Sequence, residues 1–237
     1  MILYRDIVQG STAWLNLRAG IPTASEMSKI ITPSGGPSKS AEKYMFELLG
    51  ERMLGRPSDS FLSEWMARGK EMEAEAIAYY EFQKNVTTEA IGFATNDAGT
   101  VGVSPDRLVG EHGCAEFKCP KMDAHVGFLM ESGSLYKEHK VQAQSQLWIL
   151  ERDFNDVVSY YPGLPYAIDH TERDEKFIAA MAEEVGKFTA QLGKLTKLAS
   201  ERGWLKPILT TETAFDAKTH RAFEAWSKGQ TTTGMRN

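Results

Sequence analysis

The sequence has 237 residues, of which 42% are hydrophobic and 25% are charged, as in an ordinary globular protein with a sizeable core. Its net charge of −5 argues against a surface that coats nucleic acid broadly, although a local basic channel stays compatible with it. No apolar run approaches the roughly 18 residues that span a bilayer, and the N-terminus lacks the apolar core of a signal peptide. We therefore expect a cytoplasmic protein that contacts no membrane, with Cys114 and Cys119 reduced.

The N-terminal quarter contains two short helix starts before a longer helix. A serine or threonine at 11–12 is suited to cap the first helix, and residues 23–26 carry the Thr-to-Glu spacing of a capping box. Free backbone N–H groups at the second start would suit an anion, with Ser25 beside them and Arg18 just before. A surface arginine next to a cap that binds nothing is the plainer interpretation. Residues 41–54 then form a longer helix.

A long helical pattern covers residues 60–83 and places one acid on its apolar face. Met66, Glu73, Ile77 and Tyr80 fall on one stripe, at steps of seven, four and three residues. A carboxylate buried there without a partner would be costly, so Glu73 is expected to pair with a base or to face a cation. A structural salt bridge and a functional role explain its position equally well.

The remaining pattern predicts a mixed α/β (α+β) protein. β-Branched and aromatic residues indicate a β-meander in the middle of the chain, followed by helices and one further strand. We predict a single domain over residues 1–210 and a C-terminal extension, partly packed or frayed, over 211–237. The predicted strands cover 86–95, 100–103, 114–119 and 155–161, and the predicted helices cover 121–131, 135–151 and 171–200.

The most informative stretch is residues 103–120, which contains the acids and the lysine of a possible metal site. Asp106 follows a Ser-Pro pair, and ten residues later Glu116 and Lys118 flank Phe117 in a second apolar run. If both runs are strands, alternation puts Glu116 and Lys118 on one face. A tight turn between the runs then brings Asp106 beside Glu116.

Oxygen ligands of this kind are the ones that Mg²⁺ and Mn²⁺ prefer. Asp106 and Glu116 offer carboxylates, Phe117 offers a backbone carbonyl, and Glu73 could reach in from the long helix. Such a cluster suits phosphodiester hydrolysis, in which Lys118 would orient or deprotonate the attacking water and offset charge in the transition state. Charged residues are common, so an aspartate followed by Glu-x-Lys supports this chemistry only in combination with the other features.

Glutamines are concentrated in the predicted helix 135–151. At about 100° per residue, Gln142 and Gln144 point about 200° apart, so they cannot both face one small site. Without other information, an exposed polar face is the plainer interpretation of this glutamine-rich helix.

Together these stretches resemble the phage lambda exonuclease family, the YqaJ-type viral recombinases within the Pro-Asp…(Asp/Glu)-x-Lys nuclease superfamily. The matching segments occur in order and are more specific as a set than any one of them alone. They cover 14–18, 23–26, 69–73, 104–106, 116–120 and 142–144, with Trp148. The resemblance implies a restriction-endonuclease-like core, in which a central mixed β-sheet is flanked by helices.

The resemblance also implies a catalytic group. Lys118 would be the catalytic lysine, and Gln142 would lie near the nucleophilic water. The residues implied as metal ligands are Asp106, Glu116, the Phe117 carbonyl and, for a second ion, Glu73.

A second implied group would hold the end of the DNA. Arg18, Ser25 and Ser104 match residues that hold a 5′-phosphate, which favours the anion-binding interpretation of these residues. Met66 aligns with an apolar wedge that separates the terminal base pair, but a methionine there is also an ordinary core residue. The family has a tyrosine three residues before its active-site glutamine, and His139 stands there in this chain, so we assign His139 no role.

The implied activity is digestion of double-stranded DNA from a 5′-phosphorylated end. The family releases mononucleotides and leaves a 3′ overhang, which a single-strand annealing protein receives. Two Mg²⁺ ions per active site are implied, with Mn²⁺ as a substitute, and so is a homotrimeric ring whose enclosure of DNA would explain an acidic chain. An endonuclease or single-strand nuclease on the same fold stays open, as does a catalytically silent DNA-binding scaffold.

Overall fold

The computed structural model describes residues 1–57 and 64–206, without the side chains of 64–71. This part is a mixed α/β fold, as the sequence predicts, and the predicted extension 211–237 lies outside it. The helices are α1 (Thr12–Arg18), α2 (Ala41–Leu54), α3 (Glu64–Lys84), α4 (Met122–Met130), α5 (Ser134–Leu150) and α6 (Glu175–Glu201), with a 3-10 helix at Ala24–Lys29. The strands are β1 (Ile2–Tyr4), β2 (Thr88–Glu89), β3 (Phe93–Thr95), β4 (Gly102–Val103), β5 (Arg107–Val109), β6 (Gly113–Lys118), β7 (Phe154–Ser159) and β8 (Ala167–Glu172).

A five-stranded mixed sheet forms the centre, in the order β2-β5-β6-β7-β8. Strands β6 and β7 are parallel and are joined by the crossover connection that parallel pairing requires, which contains α4 and α5. The other neighbouring strands are antiparallel. Alternation along β6 gives each face of the sheet its own helix. Phe117 packs edge-on against Tyr80 of α3, whereas Glu116 on the opposite face meets α5. The sheet is therefore flanked by helices on both faces.

A second, three-stranded antiparallel sheet, in the order β1-β3-β4, packs next to the first. It shares a core with α2, α5, α6 and the 3-10 helix, in which Met27, Phe177 and Leu147 are buried. Gly102 in β4 is required there, because a Cβ at this position would lie 2.2 Å from the Phe93 ring. Within the described ranges, no helix combines the length and apolar character needed to cross a bilayer.

Three predictions about the elements are wrong, and each error concerns strand pairing. The predicted strand 86–95 is two strands, since β2 pairs in the large sheet and β3 in the small one. The predicted meander is divided in the same way, and β5 was not predicted. The predicted helix 171–200 begins only at Glu175, where Asp174 accepts the Phe177 N–H, because residues 167–172 pair with β7. Sequence periodicity indicates the type of an element but not the strand with which it pairs. Here the pairing determined where each of these elements begins or is divided.

Candidate active site

The candidate site is built around a three-residue link, residues 104–106, that carries the chain from β4 to β5. It therefore leads from the small sheet to the large one. Gln9 holds the link in place, since its side-chain amide donates to the Pro105 carbonyl and to the Ile91 carbonyl, both at 2.9 Å. Ser104 and Asp106 thus lie at the two ends of a fixed connection.

Asp106 stands beside β6, as predicted. Its Oδ2 accepts the Phe117 N–H at 2.7 Å, in line with the register that pairs Arg107 with Ala115. Burial, and then repulsion from Glu116, hold the pKa of Asp106 well above its usual range. Glu73 of α3 adds to this repulsion, so the half-buried acid on the apolar stripe is directed towards the same cluster.

Glu116 is the most enclosed acid of the site, with 5% of its surface exposed. Its Oε1 accepts from Lys118 Nζ at 2.8 Å and from Gln142 Nε2 at 2.6 Å, and Lys118 also donates to Gln142 Oε1 at 2.9 Å. Its Oε2 accepts from Gln146 Nε2. Carboxylate, ammonium and amide therefore form a closed group on the face of the sheet that α5 covers.

The charge of Lys118 is set by the acids around it. Burial acts to lower the pKa of Lys118, but attraction to Glu116 and the hydrogen bond with it outweigh burial and raise that pKa above its ordinary value. Asp106 and Glu73 act in the same direction. Lys118 is therefore an ammonium at neutral pH, and it can donate hydrogen bonds and offset negative charge.

The donor set fits a divalent cation of the Mg²⁺ type. The half-buried Asp106 and the buried Glu116 repel each other, and a cation held by both would relieve the repulsion that contributes to the raised pKa of Asp106. Among the side chains that the structure describes, those of residues 1–57 and 72–206, no three from His, Cys, Asp or Glu gather closely enough to hold an ion by themselves. Backbone oxygen, for which the Phe117 carbonyl was predicted, and water would have to complete the coordination.

A second polar group surrounds the guanidinium of Arg18. Its Nη2 donates to Ser25 Oγ at 3.2 Å and to Thr23 Oγ1 at 3.3 Å, and its Nη1 donates to Ser104 Oγ at 3.4 Å. Trp14 supports this group, because its Nε1 donates to Ser104 Oγ at 2.8 Å and its ring stacks under the guanidinium at 4.2 Å. The three residues predicted to hold a phosphate are therefore together, and Thr23 and Trp14 join them.

Burial is the main influence on the pKa of Arg18 and lowers it, even though acids such as Glu26 and Glu51 act in the opposite direction. A desolvated cation with hydroxyl neighbours suits an anion. A cleft of about 220 Å³ also reaches Arg18, but Glu26, Glu47 and Glu51 line it and their charge opposes an anion there. The hydroxyl group of Ser104 marks the better position for a phosphate.

The capping box predicted at 23–26 does not form. Thr23 is the N-cap of the short 3-10 helix, but its side chain makes no capping hydrogen bond and instead accepts from Arg18. The segment is positioned by sheet contacts, since Gly102 N donates to the Pro22 carbonyl at 2.9 Å and a parallel bridge joins Thr23 to Gly102. Tertiary pairing with β4 thus brings Ser25 near Ser104.

The glutamines of α5 do not form an exposed face, so that interpretation is wrong. Gln142 faces Glu116, whereas Gln144 is fully buried on the other side, donating to the Glu172 carbonyl at 2.8 Å and accepting from Asp174 N at 2.9 Å. The angular argument that separated these two residues holds. Gln146 was missed as a site residue, although its position four residues after Gln142 on the same helical face was a usable signal.

The structure supports no role in the site for either Met66 or His139. The Met66 side chain, predicted as a possible wedge, lies outside the described residues. Burial, followed by the nearby Lys118, lowers the pKa of His139 to about 4, and its ring packs 6.4 Å from that of Phe128. Cys114 and Cys119 are free thiols, as expected.

A mixed sheet flanked by helices, with Asp106, Gln142 and the β6 residues Glu116 and Lys118 grouped together, is consistent with the restriction-endonuclease-like core that the sequence predicts. The YqaJ-like viral recombinase domain family matches residues 13–153, more than half of the sequence, and the chain belongs to this family. The resemblance inferred from the motifs is therefore confirmed. A search of curated protein sequences found no match.

Three solved structures that are similar to this chain are structures of exonucleases. The alkaline exonuclease LHK-Exo from Laribacter hongkongensis is 30% identical, with a TM-score of 0.73 over 81% of this chain and 98% of its own. A second structure of LHK-Exo, in complex with dAMP, matches equally well. A phage-related exonuclease from Haemophilus somnus 129PT is 17% identical, with a TM-score of 0.60 over 79% of this chain and 98% of its own, and shares the fold.

Proposed function

We propose that this chain is a Mg²⁺-dependent exodeoxyribonuclease that degrades duplex DNA in the 5′→3′ direction from a 5′-phosphorylated end. The link 104–106 carries the proposal, because it connects Ser104, in the polar group around Arg18, to Asp106 in the acidic cluster. A site that grips a terminal phosphate directly beside a hydrolytic site is the arrangement that an end-dependent nuclease needs. The similarity to an alkaline exonuclease at 30% identity supports the same class of activity.

The end of the DNA would be held by Arg18, Ser25 and Ser104. Arg18 supplies the charge and a planar pair of donors that match phosphate oxygens, and the hydroxyls complete the contacts. Its present hydrogen bonds to hydroxyls, at 3.2–3.4 Å, are longer than the usual N–H···O distance of about 2.9 Å. If these donors turned to a phosphate, only long and therefore weak hydrogen bonds to the hydroxyls would be lost.

The hydrolytic step would use the acidic cluster on β6. Asp106, Glu116 and the Phe117 carbonyl would hold one Mg²⁺, and Glu73 would contribute to a second; when bound, the ions supply Lewis-acid stabilisation of the phosphoryl charge. Lys118 would orient the attacking water and offset charge that develops in the transition state. Gln142, which hydrogen-bonds to both Glu116 and Lys118, would fix the positions of these two side chains and would lie near that water.

The remaining parts of the proposal concern product, assembly and setting. Cleavage one nucleotide from the held phosphate would release mononucleotides and leave a 3′ overhang, and dAMP in the LHK-Exo complex is a molecule of the product class. Mn²⁺ would substitute for Mg²⁺ because it prefers similar ligands. We further propose a homotrimeric ring around DNA, transfer of the overhang to a single-strand annealing protein in phage-type recombination, and a location in the cytoplasm.

The experiment is a cleavage assay with linear duplexes that differ only in the position of one label. A 5′ label should appear in mononucleotides at once in Mg²⁺, whereas a 3′ label on the same strand should appear late. Closed circular duplex and single strands should be cut poorly, and EDTA should stop the reaction. Cutting of closed circles would establish the endonuclease instead, preference for single strands would establish a single-strand nuclease, and binding without cleavage in Mg²⁺ or Mn²⁺ would indicate a silent scaffold.

A further inference from the structure

The side chain of Glu116 is held on more than one side. Lys118 and Gln142 donate to Oε1, and Gln146 donates to Oε2. A carboxylate has about four acceptor sites, and three are used by these donors. The orientation of the carboxylate in its plane therefore depends on Gln146 as well as on the lysine.

Gln146 depends in turn on Asn155. The Oε1 of Gln146 accepts a hydrogen bond from Asn155 Nδ2, and both side chains are fully buried. An amide that donates to a carboxylate must present its oxygen elsewhere, so Asn155 determines which end of the Gln146 amide faces Glu116. If the Gln146 amide were turned around, its oxygen would face the Glu116 carboxylate and its NH₂ group would face the NH₂ group of Asn155, and both contacts are unfavourable.

The fold explains why these residues meet. Gln142 and Gln146 are one helical turn apart on α5, so both face the same strand. Asn155 lies on β7, which runs parallel to β6 and pairs Asn155 with Cys114, two residues before Glu116. Asn155 and Glu116 thus lie on the same face of neighbouring strands, with Gln146 between them.

Asn155 uses the donor of its side-chain amide, whereas its amide oxygen makes no hydrogen bond within the described residues. Its Nδ2 donates to Gln146 and, at 3.2 Å, to Cys114 Sγ, while its buried Oδ1 has no hydrogen-bond partner among the atoms that the structure describes. Leaving a buried amide oxygen unsatisfied is costly, and an apolar residue would avoid that cost. The donated hydrogen bond to Gln146 is what an apolar residue could not supply.

We propose that Gln146 and Asn155 are positioning residues that hold the Glu116 carboxylate in the orientation in which it binds the divalent cation. The proposal rests on the proposed function, since it assumes that Glu116 is a metal ligand. Residues that orient a metal ligand commonly contribute 10- to 100-fold to metal affinity, and we expect losses of about that size here. Because Asn155 acts through Gln146, the two losses should not add.

The test measures Mn²⁺ binding to the protein without DNA, by titration followed through the electron paramagnetic resonance signal of free Mn²⁺. The variants are Gln146→Met and Asn155→Leu, which keep approximate volume but lose the donors, and the double variant. Gln144→Met is the matched control, because it removes a fully buried amide from the same helix on the face away from Glu116. Asp106→Asn serves as the reference for loss of a ligand. Circular dichroism identifies variants that fold.

We expect Gln146→Met and Asn155→Leu each to bind Mn²⁺ about 10- to 100-fold more weakly, with the double variant no weaker than Gln146→Met. The Mg²⁺ concentration for half-maximal cleavage should rise in parallel, and excess Mg²⁺ should restore most of the rate. If both variants bind Mn²⁺ normally while Asp106→Asn does not, the positioning role is wrong and the metal site stands. Equal weakening in Gln144→Met would also overturn the role, since it would reflect general loss of packing. If the wild-type protein binds no Mn²⁺, the proposed function fails first and this inference with it.

Discussion

Replacing Arg18 by alanine should remove most of the preference for a 5′-phosphorylated end. A hydrogen bond to a charged group contributes about 1.5–3 kcal/mol, and each 1.4 kcal/mol changes a rate ratio about tenfold. The ratio of kcat/KM for 5′-phosphate over 5′-hydroxyl ends should therefore fall by about 10- to 150-fold. Loss of the stacking on Trp14 affects both substrates alike and leaves this ratio unchanged.

The assay compares two duplexes of identical sequence that differ only in the 5′ group. Arg18→Lys keeps the charge without the planar pair of donors, so its ratio should be intermediate. Arg52→Ala is the matched control, because burial also lowers the pKa of Arg52 and this side chain bonds to the Gly20 carbonyl at 2.6 Å and to Thr196 Oγ1 at 2.9 Å. An Arg18→Ala protein with the wild-type ratio, or an Arg52→Ala protein with an equal loss, would refute the phosphate pocket.

Three further predictions concern the cluster and the assembly. Lys118→Ala should lower single-turnover cleavage in Mg²⁺ by about 10²–10⁴-fold, while duplex binding measured by fluorescence anisotropy stays near wild type; retained turnover would remove Lys118 from the mechanism. The raised pKa of Asp106 means that the folded protein binds a proton that the unfolded chain releases, so unfolding free energy should fall as pH rises from about 4, the ordinary aspartate value, through the folded pKa. Asp106→Asn removes this contribution, so at pH 8 without metal the variant should have a higher Tm than wild type, by about 2–4 °C for each 1 kcal/mol gained. This difference in Tm should close towards pH 4. A difference that does not depend on pH would show that the carboxylate is not the cause. Light scattering at working concentration should give three times the mass of the 26.4 kDa chain, and a monomeric mass would contradict the ring.

The order of motifs along the sequence was sufficient to predict the members of the cluster. Period-two alternation places Glu116 and Lys118 on one face of a strand wherever that strand pairs, and a short turn can only return Asp106 to the same neighbourhood. The stripe that contains Glu73 likewise predicted that this acid points inward. These statements depend on local geometry, which a sequence encodes directly.

The interpretation of α5 shows where local geometry was not enough. Helical angles correctly placed Gln142 and Gln144 on different sides of α5, but they did not predict that other elements would pack over both sides of this helix. The β7 strand and the β8–α6 junction cover it, and a polar helix face becomes a set of buried amides. Gln146 then acquires a role only because Asn155, distant in sequence on β7, meets it.

By itself, the sequence determined the class of fold through its periodicity, whereas the family and most of the candidate site residues came from ordered motifs that resemble a known family. Only the tertiary structure decided that residues 104–106 connect two separate sheets. That connection brings Ser104 to Arg18 and Asp106 to β6 beside Glu116, so one short segment contributes to both the polar group around Arg18 and the acidic cluster. The physical reason is that strand pairing depends on hydrogen-bond partners far away in the chain, and no local pattern specifies which sheet a short strand will join.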